Sequence, residues 1–216
     1  MVNTRIVLTY SFDELNDKAK ARARDWFREG VTSGWWEFDD IVECAKRLGI
    51  EIETRVTKTT KGRVFEETAI DFQLSYSQGD YAAFEGTWKW SAKPETEGVP
   101  YRSFAAAINE YAPMDSTLMA IAAQLDSCTG DAAIVKSEHN RYFPRFNTMR
   151  ENDEITDAEH PGTVKDALQK FERWMYDNIR GQYESINSDE NVDDTIRANE
   201  YEFTSNGKIY PYNLGE

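Results

Sequence analysis

The chain has 216 residues, of which 40% are hydrophobic and 13% aromatic, and this composition excludes an intrinsically disordered protein. A formal net charge of −14 disfavours direct binding to nucleic-acid phosphates or to anionic membrane surfaces. No apolar run approaches the roughly 20 residues that span a bilayer, and the N-terminus lacks a signal-peptide pattern, so we expect a cytoplasmic protein without a membrane partner.

The first fifty residues predict a strand and two helices. The alternation in "NTRIVLTY" indicates a strand. Ser11 and Glu14 have the spacing of a capping box, and the apolar residues that follow recur at helical spacing to about Arg28, with Gly30 expected to break the helix. A second helix begins after the adjacent tryptophans and ends at Gly49, which occupies a C-cap position.

The next forty residues predict antiparallel strands. Alternating apolar residues over 50–56 indicate a half-buried strand that turns at Lys61-Gly62. Residues 69–91 are predicted to form a hairpin whose tip lies in "YSQGDYAAFEG" (76–86), where Gly79 permits the turn and Gly86 permits a close approach or a bulge. Its aromatic residues share one strand face, which we expect helices to cover: Phe84, Trp88 and Trp90.

The second half of the chain predicts mainly helices. A short helix stopped by Pro113 is followed by one capped by Asp115 or Ser116. Two strands are predicted around residues 139–140, and Pro144 confines the second strand to an edge or a bulge. A long amphipathic helix is expected from about Pro161 to about Tyr183.

These elements predict an α+β fold, an antiparallel sheet of hairpins with amphipathic helices packed on one face. We expect a single domain over residues 1–216, with an acidic helical part at about 151–200 and a C-terminal hairpin at about 200–213 turning at Asn206-Gly207. Cys44 and Cys128 are far apart and fall among helix-like residues, so we interpret both as buried thiols.

Motifs for catalysis are absent from the sequence. It contains no Walker-type loop, no dinucleotide-binding glycine pattern and no cysteine or histidine set at zinc spacing, and both histidines lie in polar loop contexts. We therefore expect no catalytic residue, metal or cofactor. The alternative is a metal-dependent enzyme acting on nucleotides or nucleic acid, with Asp71, Asp80 and Glu85 of the central hairpin as oxygen ligands.

Charge and exposed aromatic residues instead predict a protein-binding surface. Residues 151–216 hold 16 acidic and 6 basic side chains, which favours a basic partner, and spaced carboxylates can imitate nucleic-acid phosphates. The adjacent Trp35 and Trp36 are either both buried by a bend in the chain or partly exposed at an interface. The predicted partner-binding residues are Trp35, Trp36, Asp39, Asp40, Gln78, Gly79, Asp80, Glu85, Asp153, Glu154, Asp157, Glu159, Asp189, Glu190, Asp193 and Asp194.

Four stretches resemble a family of tailed-phage proteins labelled "antitoxin of toxin-antitoxin stability system". They are "YSFDELNDKAKARARDWFRE", "SYSQGDYAAFEGTW", "INEYAP" and "IRANEYEFTSNGKIY", and they occur in the same order over most of the chain. The chain departs from this family where Tyr81, rather than a second glycine, follows Gln78-Gly79-Asp80. The resemblance implies a phage-encoded protein of the host cytoplasm that binds a toxin or a host defence enzyme.

Overall fold

The structure is a computed structural model that describes residues 8–31, 36–59, 62–74, 79–89, 103–128, 133–138, 145–150, 153–154 and 161–210. The helices are α1 (Asp17–Val31), α2 (Asp39–Arg47), α3 (Phe104–Tyr111), α4 (Ser116–Asp126), α5 (Pro161–Ile186) and α6 (Asp189–Ala198). The strands are β1 (Ile50–Ile52), β2 (Thr54–Lys58), β3 (Val64–Thr68), β4 (Ile70–Gln73), β5 (Tyr81–Phe84), β6 (Gly86–Lys89), β7 (Ala133–Glu138), β8 (Arg145–Arg150) and β9 (Asp153–Glu154). The predicted α+β class is confirmed.

The chain divides into two compact units. The terminal unit comprises Met1–Trp36 and Ile179–Glu216, and the central unit comprises Glu37–Asn178. The division falls within α5, which is continuous through it. The expectation of a single domain over residues 1–216 stays a prediction.

The N-terminal capping box is confirmed, but it closes a 3-10 turn and not the long helix. The Glu14 carboxylate accepts from the Ser11 backbone N–H at 2.8 Å and from its hydroxyl at 2.9 Å. The backbone then becomes extended at Leu15, and the Asn16 side chain accepts from the Ala19 N–H at 3.0 Å to begin α1. A 3-10 turn followed by α1, each with its own cap, therefore replaces the single helix predicted. Gly30, which the sequence predicts to break the helix, lies inside α1.

The terminal unit has a small aromatic core between α1 and α6. Phe203 contacts Phe12 and Trp26 edge-to-face, with ring centroids 6.4 and 5.9 Å apart. The predicted C-terminal turn is present, because Gly207 has a φ of 80° and the Thr204 N–H donates to the Lys208 carbonyl. Its flanks make isolated bridges and no extended ladder, and Phe203 also bridges Tyr10. The rest of the predicted N-terminal strand lies mostly outside the described residues.

Antiparallel pairs form three sheets in the central unit. The largest has the order β1-β6-β7-β8-β9, and β2–β3 and β4–β5 are two-stranded. The hairpin predicted over residues 69–91 is confirmed for β4–β5, in which Ile70 lies opposite Phe84, but it does not extend further, because β6 pairs with β1 and β7. The edge position predicted for the strand after Pro144 is wrong, because β8 pairs with β7 and with β9. The proline precedes the strand, so it removes no ladder hydrogen bond within it.

The three sheets meet at a ring of backbone hydrogen bonds. The N–H of Glu53 donates to the carbonyl of Glu85, that of Glu85 to Ala69, and that of Ala69 to Glu53, each at 2.8 Å. At this junction each chain segment changes its pairing partner. For example, β1 pairs with β6, and β2, which follows β1 in the chain, pairs with β3. Gly86 follows directly, and a Cβ there would overlap the Glu51 carbonyl oxygen. The predicted close approach at Gly86 is confirmed.

Helices cover the aromatic strand face of the central unit, as predicted for two of its three residues. Phe84 contacts Phe171 of α5 edge-to-face at 5.9 Å, and Trp88 lies 6.2 Å from Phe104 of α3. The Trp88 indole N–H donates to the Leu48 carbonyl at 2.8 Å, which satisfies its only polar group. Trp90 lies outside the described residues.

Both cysteines are free thiols, and only one is fully buried. Cys44 is buried on α2, and its burial raises its pKa to about 11. Cys128 is half-buried just after α4, so the prediction of two buried thiols is wrong for this residue. Cys128 lies just beyond the C-terminal end of α4, where its thiol donates to the Gln124 carbonyl at 3.4 Å.

Candidate functional site

The predicted hairpin tip is described from Gly79 onwards, where the chain turns and contacts α5. Gly79 has a φ of 117°, which only glycine adopts readily, so the predicted turn is confirmed. The Asp80 carboxylate accepts a hydrogen bond from the Tyr176 hydroxyl at 3.1 Å. Gln78 lies outside the described residues, and Glu85 is half-buried at the backbone junction. Asp80 therefore has a local structural role.

The three carboxylates considered as metal ligands do not form a metal site. Arg55 binds Asp71 through two hydrogen bonds of 3.0 and 3.1 Å. No group of three or more His, Cys, Asp or Glu side chains within the described ranges is arranged to hold a metal ion. The metal-enzyme alternative gains no support from this geometry.

Two of the predicted partner-binding residues near α2, Asp40 and Trp36, make contacts within the protein. Asp40 accepts a hydrogen bond from the Tyr111 hydroxyl at 2.7 Å, and this bond raises the pKa of Tyr111 to about 12. Asp39 is exposed in the first turn of α2. Trp36, in the terminal unit, is half-buried and stacks on Tyr183 at 6.3 Å. Trp35 lies outside the described residues.

In the acidic segment before α5, the structure describes only two of the predicted partner-binding residues. Asp153 and Glu154 form β9, whose backbone pairs with Arg150 and Met149. The other predicted partner-binding residues of this segment, Asp157 and Glu159, lie outside the described residues, as do both histidines.

Arginine side chains of the terminal unit pair with most of the predicted acidic residues of α6. Arg24 forms a two-bond contact with Asp193 at 2.6 and 2.7 Å, and this holds the pKa of Asp193 below its usual range. Asp189 pairs with Arg24 and Arg28, and Asp194 pairs with Arg197. Glu190 is exposed on the same helix. The pairs of Arg24 and Arg28 join α1 to α6, and the pair of Asp194 with Arg197 lies within α6, so three of the four acidic residues predicted on this helix are neutralised within the terminal unit.

The terminal unit also has a concave acidic surface, in which fewer of the carboxylates are paired with arginine. A groove of about 410 Å³ opens between the 3-10 turn and the C-terminal end of α6. Its charged and aromatic lining, which we call the acidic groove, includes Asp13, Glu14, Arg197, Glu200, Tyr201 and Glu202.

Two carboxylates of the acidic groove have no internal partner. Arg197 donates to Asp13 at 3.0 Å, and Glu14 is occupied by its cap with Ser11, which lowers the pKa of Glu14. The side chains of Glu200 and Glu202 are exposed and have no hydrogen bond or ion pair in the described part of the chain. They can therefore accept hydrogen bonds from a cation brought by a ligand.

Backbone conformation positions one of these carboxylates. Glu200 has a φ of 52°, and no other non-glycine residue in the described ranges has a positive φ. It follows α6, where the Glu200 N–H donates to the Arg197 carbonyl and the Tyr201 N–H to the Ile196 carbonyl. The left-handed residue turns the chain, so Tyr201 and Glu202 lie beside the end of α6.

Sequence reasoning missed the acidic groove because its sides come from the two ends of the chain. From the sequence, Glu14 is predicted only as part of the capping box, Glu200 and Glu202 fall at the start of the predicted C-terminal hairpin, and Asp13 carries no prediction. The one local indication was the pair of glutamates on either side of Tyr201 in "NEYEF". Nothing in that pattern places it against residues near position 13.

Comparison with protein families identifies the class of protein to which the chain belongs. The family model described as "Domain of unknown function (DUF8835)" matches residues 35–189, and the chain belongs to this family. The match includes the whole central unit and α5, whereas the acidic groove lies outside it. No curated protein and no solved structure matches the chain. No helix in the described ranges has the length and apolar character to cross a membrane.

Proposed function

We propose that the protein is a non-enzymatic binding protein that engages a basic protein partner through the acidic groove of its terminal unit. The observation that carries this proposal is the pair of exposed, unpaired carboxylates of Glu200 and Glu202 in a concave site. The groove holds four carboxylates and one guanidinium, which is already paired with Asp13. A lysine or arginine side chain of a partner would find both charge and an aromatic wall there.

The resemblance to phage proteins labelled as antitoxins supports a particular kind of partner. A toxin or a host defence enzyme that binds nucleic acid carries a basic surface for phosphates, and an acidic protein can occupy that surface. The protein would then act in the host cytoplasm as an antitoxin-like or counter-defence inhibitor, in the strongest form as a nucleic-acid mimic. No cofactor or metal takes part in this function.

A labelled octa-arginine peptide tests the groove directly. Its binding is measured by fluorescence anisotropy at 50 and 300 mM NaCl, with wild-type protein and with the double variant Glu200→Gln/Glu202→Gln. We expect the variant to bind about tenfold more weakly at 50 mM NaCl, since two carboxylates of this kind contribute about 1.4 kcal/mol together. Binding by the wild type should weaken at the higher salt concentration.

A matched variant separates the groove from net charge. Glu51→Gln/Glu53→Gln removes two exposed carboxylates from the central unit and changes the net charge by the same amount. We expect it to bind the peptide within twofold of the wild type. Equal losses in the two double variants would show that only net charge attracts the peptide, and would contradict the proposal.

A further inference from the structure

The ribbon formed by β2 and β3 is open to solvent on both faces. None of its ten residues is buried, and Val56 and Val64 are 68% and 62% exposed. A two-stranded ribbon alone in water is only marginally stable, and apolar side chains exposed together mark interaction surfaces. The ribbon belongs to the part of the chain that the family model matches.

One face of the ribbon carries two valines and two opposite charges. Val56 lies directly opposite Glu66, and Lys58 lies directly opposite Val64. Because side chains alternate along a strand, these four residues share one face, which we call the ribbon face. Its two valines occupy one diagonal, and Lys58 and Glu66 occupy the other.

The charges of the ribbon face are available to a partner. Neither Lys58 nor Glu66 has an ion pair with another described residue. On the opposite face, by contrast, Arg55 is paired with Asp71, and the Thr57 hydroxyl donates to Glu67 at 2.8 Å. The charged side chains of the opposite face therefore have partners within the protein, whereas those of the ribbon face have no ion pair with a described residue.

Hydrogen bonds between the described ends of the two strands close the ribbon towards its tip. At its tip the Thr59 N–H donates to the Arg63 carbonyl at 2.8 Å, and the Arg63 N–H donates to the Thr59 hydroxyl at 3.0 Å. Gly62 has a φ of 81°, which suits this turn. A preformed turn lowers the ordering cost of association.

We propose that the ribbon face is a contact between two copies of this chain. A two-fold axis along the Val56–Val64 diagonal would place each valine against the same valine of the other copy. The same rotation brings Lys58 opposite Glu66 of the partner subunit, and Glu66 opposite Lys58 of the partner subunit. The pattern is therefore self-complementary, as a two-fold interface requires, and the strands cross steeply, as in orthogonal sheet packing.

The charge of the whole molecule favours this face for self-association. Two copies of a chain with a net charge of −14 repel each other over most of their surfaces. The ribbon face is neutral, with one positive and one negative side chain, so approach there is least opposed. Added salt screens the general repulsion and leaves apolar contact intact, so it should strengthen the dimer.

A face of this size supports only a weak dimer. Stable interfaces bury about 800 Å² on each partner, more than four side chains of a ten-residue ribbon provide. We therefore expect the protein to be monomeric at about 10 µM and measurably dimeric near 1 mM, as for weak transient contacts. Sedimentation velocity over this range, at 50 and 500 mM NaCl, measures the association constant.

Charge exchange tests the proposed pairing. Lys58→Glu and Glu66→Lys should each weaken association at least tenfold, because each places like charges opposite each other. The double variant Lys58→Glu/Glu66→Lys restores opposite charges and should return association to within about threefold of the wild type. Phe65→Ser, on the opposite ribbon face, should leave association unchanged. Circular dichroism confirms that each variant is folded.

Three results would overturn the proposal. They are a wild-type protein that stays monomeric at 1 mM in both salt concentrations, association that Lys58→Glu does not weaken, and a double variant that associates no better than the single variants. If the wild type stays monomeric but the ribbon binds a basic or nucleic-acid probe, the ribbon face serves a different partner and the dimer is rejected.

Discussion

The interactions that stabilise the terminal unit internally differ from those that stabilise the central unit. In the terminal unit, arginines of α1 pair with aspartates of α6 around the ring of Phe12, which is 5.5 to 5.8 Å from three cationic groups. In the central unit the described core is apolar apart from Glu172, which is 6% exposed. Acidic residues of this chain therefore occur in three settings: in ion pairs, as exposed unpaired carboxylates in the acidic groove, and as a buried carboxyl group with an unpartnered oxygen.

The two units should also respond oppositely to pH. The pKa of Glu172 is raised to about 8 by burial, and its Oε1 atom has no hydrogen-bond partner. The folded state therefore favours the protonated form of Glu172. Ionisation of this carboxyl group destabilises the folded state progressively as pH rises from about 4.5 to about 8. The pKa of Asp193 is lowered by Arg24, so its contribution is present above about pH 4 and is lost as pH falls further.

The largest expected effects come from two glycines, one in each unit, where the backbone approaches another segment closely. A Cβ at Gly86 would overlap the Glu51 carbonyl, and one at Gly207 would overlap the Ala19 carbonyl. Gly86→Ala and Gly207→Ala should each lower the free energy of unfolding by about 3 kcal/mol in urea denaturation. Hydrogen exchange should show which unit opens first in each variant.

The control for these substitutions is Gly181→Ala on α5, where a Cβ would meet nothing within 4 Å. Alanine is the better helix former, so this variant should gain up to about 1 kcal/mol. If Gly86→Ala or Gly207→Ala behaves like this control, the close approaches described for the two units are wrong.

The next effect concerns the buried carboxylate of the central unit. Glu172→Gln should abolish most of the loss of stability between pH 5 and pH 8 and should raise stability at pH 8 by a few kcal/mol, at about 1.4 kcal/mol per unit of pKa shift. Thermal denaturation over this pH range measures it. Asp166→Asn, on the exposed side of α5, is the control for the loss of one negative charge and should change stability at pH 8 by no more than about 0.5 kcal/mol. Parallel profiles for Glu172→Gln and the wild type would contradict a raised pKa.

A smaller effect is expected at the ion pairs of the terminal unit. Asp193→Asn removes the charge-assisted pair with Arg24 and should cost about 2 kcal/mol at pH 7, and this cost should shrink as the pH falls below about 4 because the pKa of Asp193 is lowered in the folded state. Glu184→Gln, which breaks the exposed pair with Arg180, should cost no more than about 0.5 kcal/mol. Urea denaturation at pH 3 and pH 7 distinguishes these outcomes, and equal costs in the two variants would count against a structural role for Asp193.

The smallest expected effect comes from removing the serine that caps a helix. The Ser188 hydroxyl accepts from the Asn191 N–H at the start of α6, and Ser188→Ala should cost about 1 kcal/mol. Ser103 caps α3 in the same way, but Asp126 also accepts from the first two N–H groups of that helix. Ser103→Ala should therefore cost about half as much. A larger loss at Ser103 would mean that Asp126 does not share the capping.

Local features of both units could be predicted from the sequence. The capping box at Ser11, the cap at Asp115, the positive φ of Gly79 and the tight approach at Gly86 each depend on residues close together in the chain. Their chemistry is specific enough that neighbouring residues determine the result.

Features that join distant segments could not be predicted. The ring at Glu53, Ala69 and Glu85 depends on three strand pairs that exchange partners, and sequence periodicity describes each strand without naming its partner. Likewise, Arg24 and Asp193 are 169 residues apart, so the acidic composition of α6 gave no indication that arginines of α1 neutralise it. The predicted partner surface was therefore assigned partly to residues that stabilise the fold.

The most direct test compares paired and unpaired carboxylates of the terminal unit. Glu200→Gln/Glu202→Gln and Asp189→Asn/Asp194→Asn remove the same charge, the first from the acidic groove and the second from the ion pairs of α6. In a titration with the octa-arginine peptide at 50 mM NaCl, we predict about tenfold weaker binding for the first variant and less than a twofold change for the second. Equal affinities, or a greater loss in the second variant, would contradict a binding role for the groove.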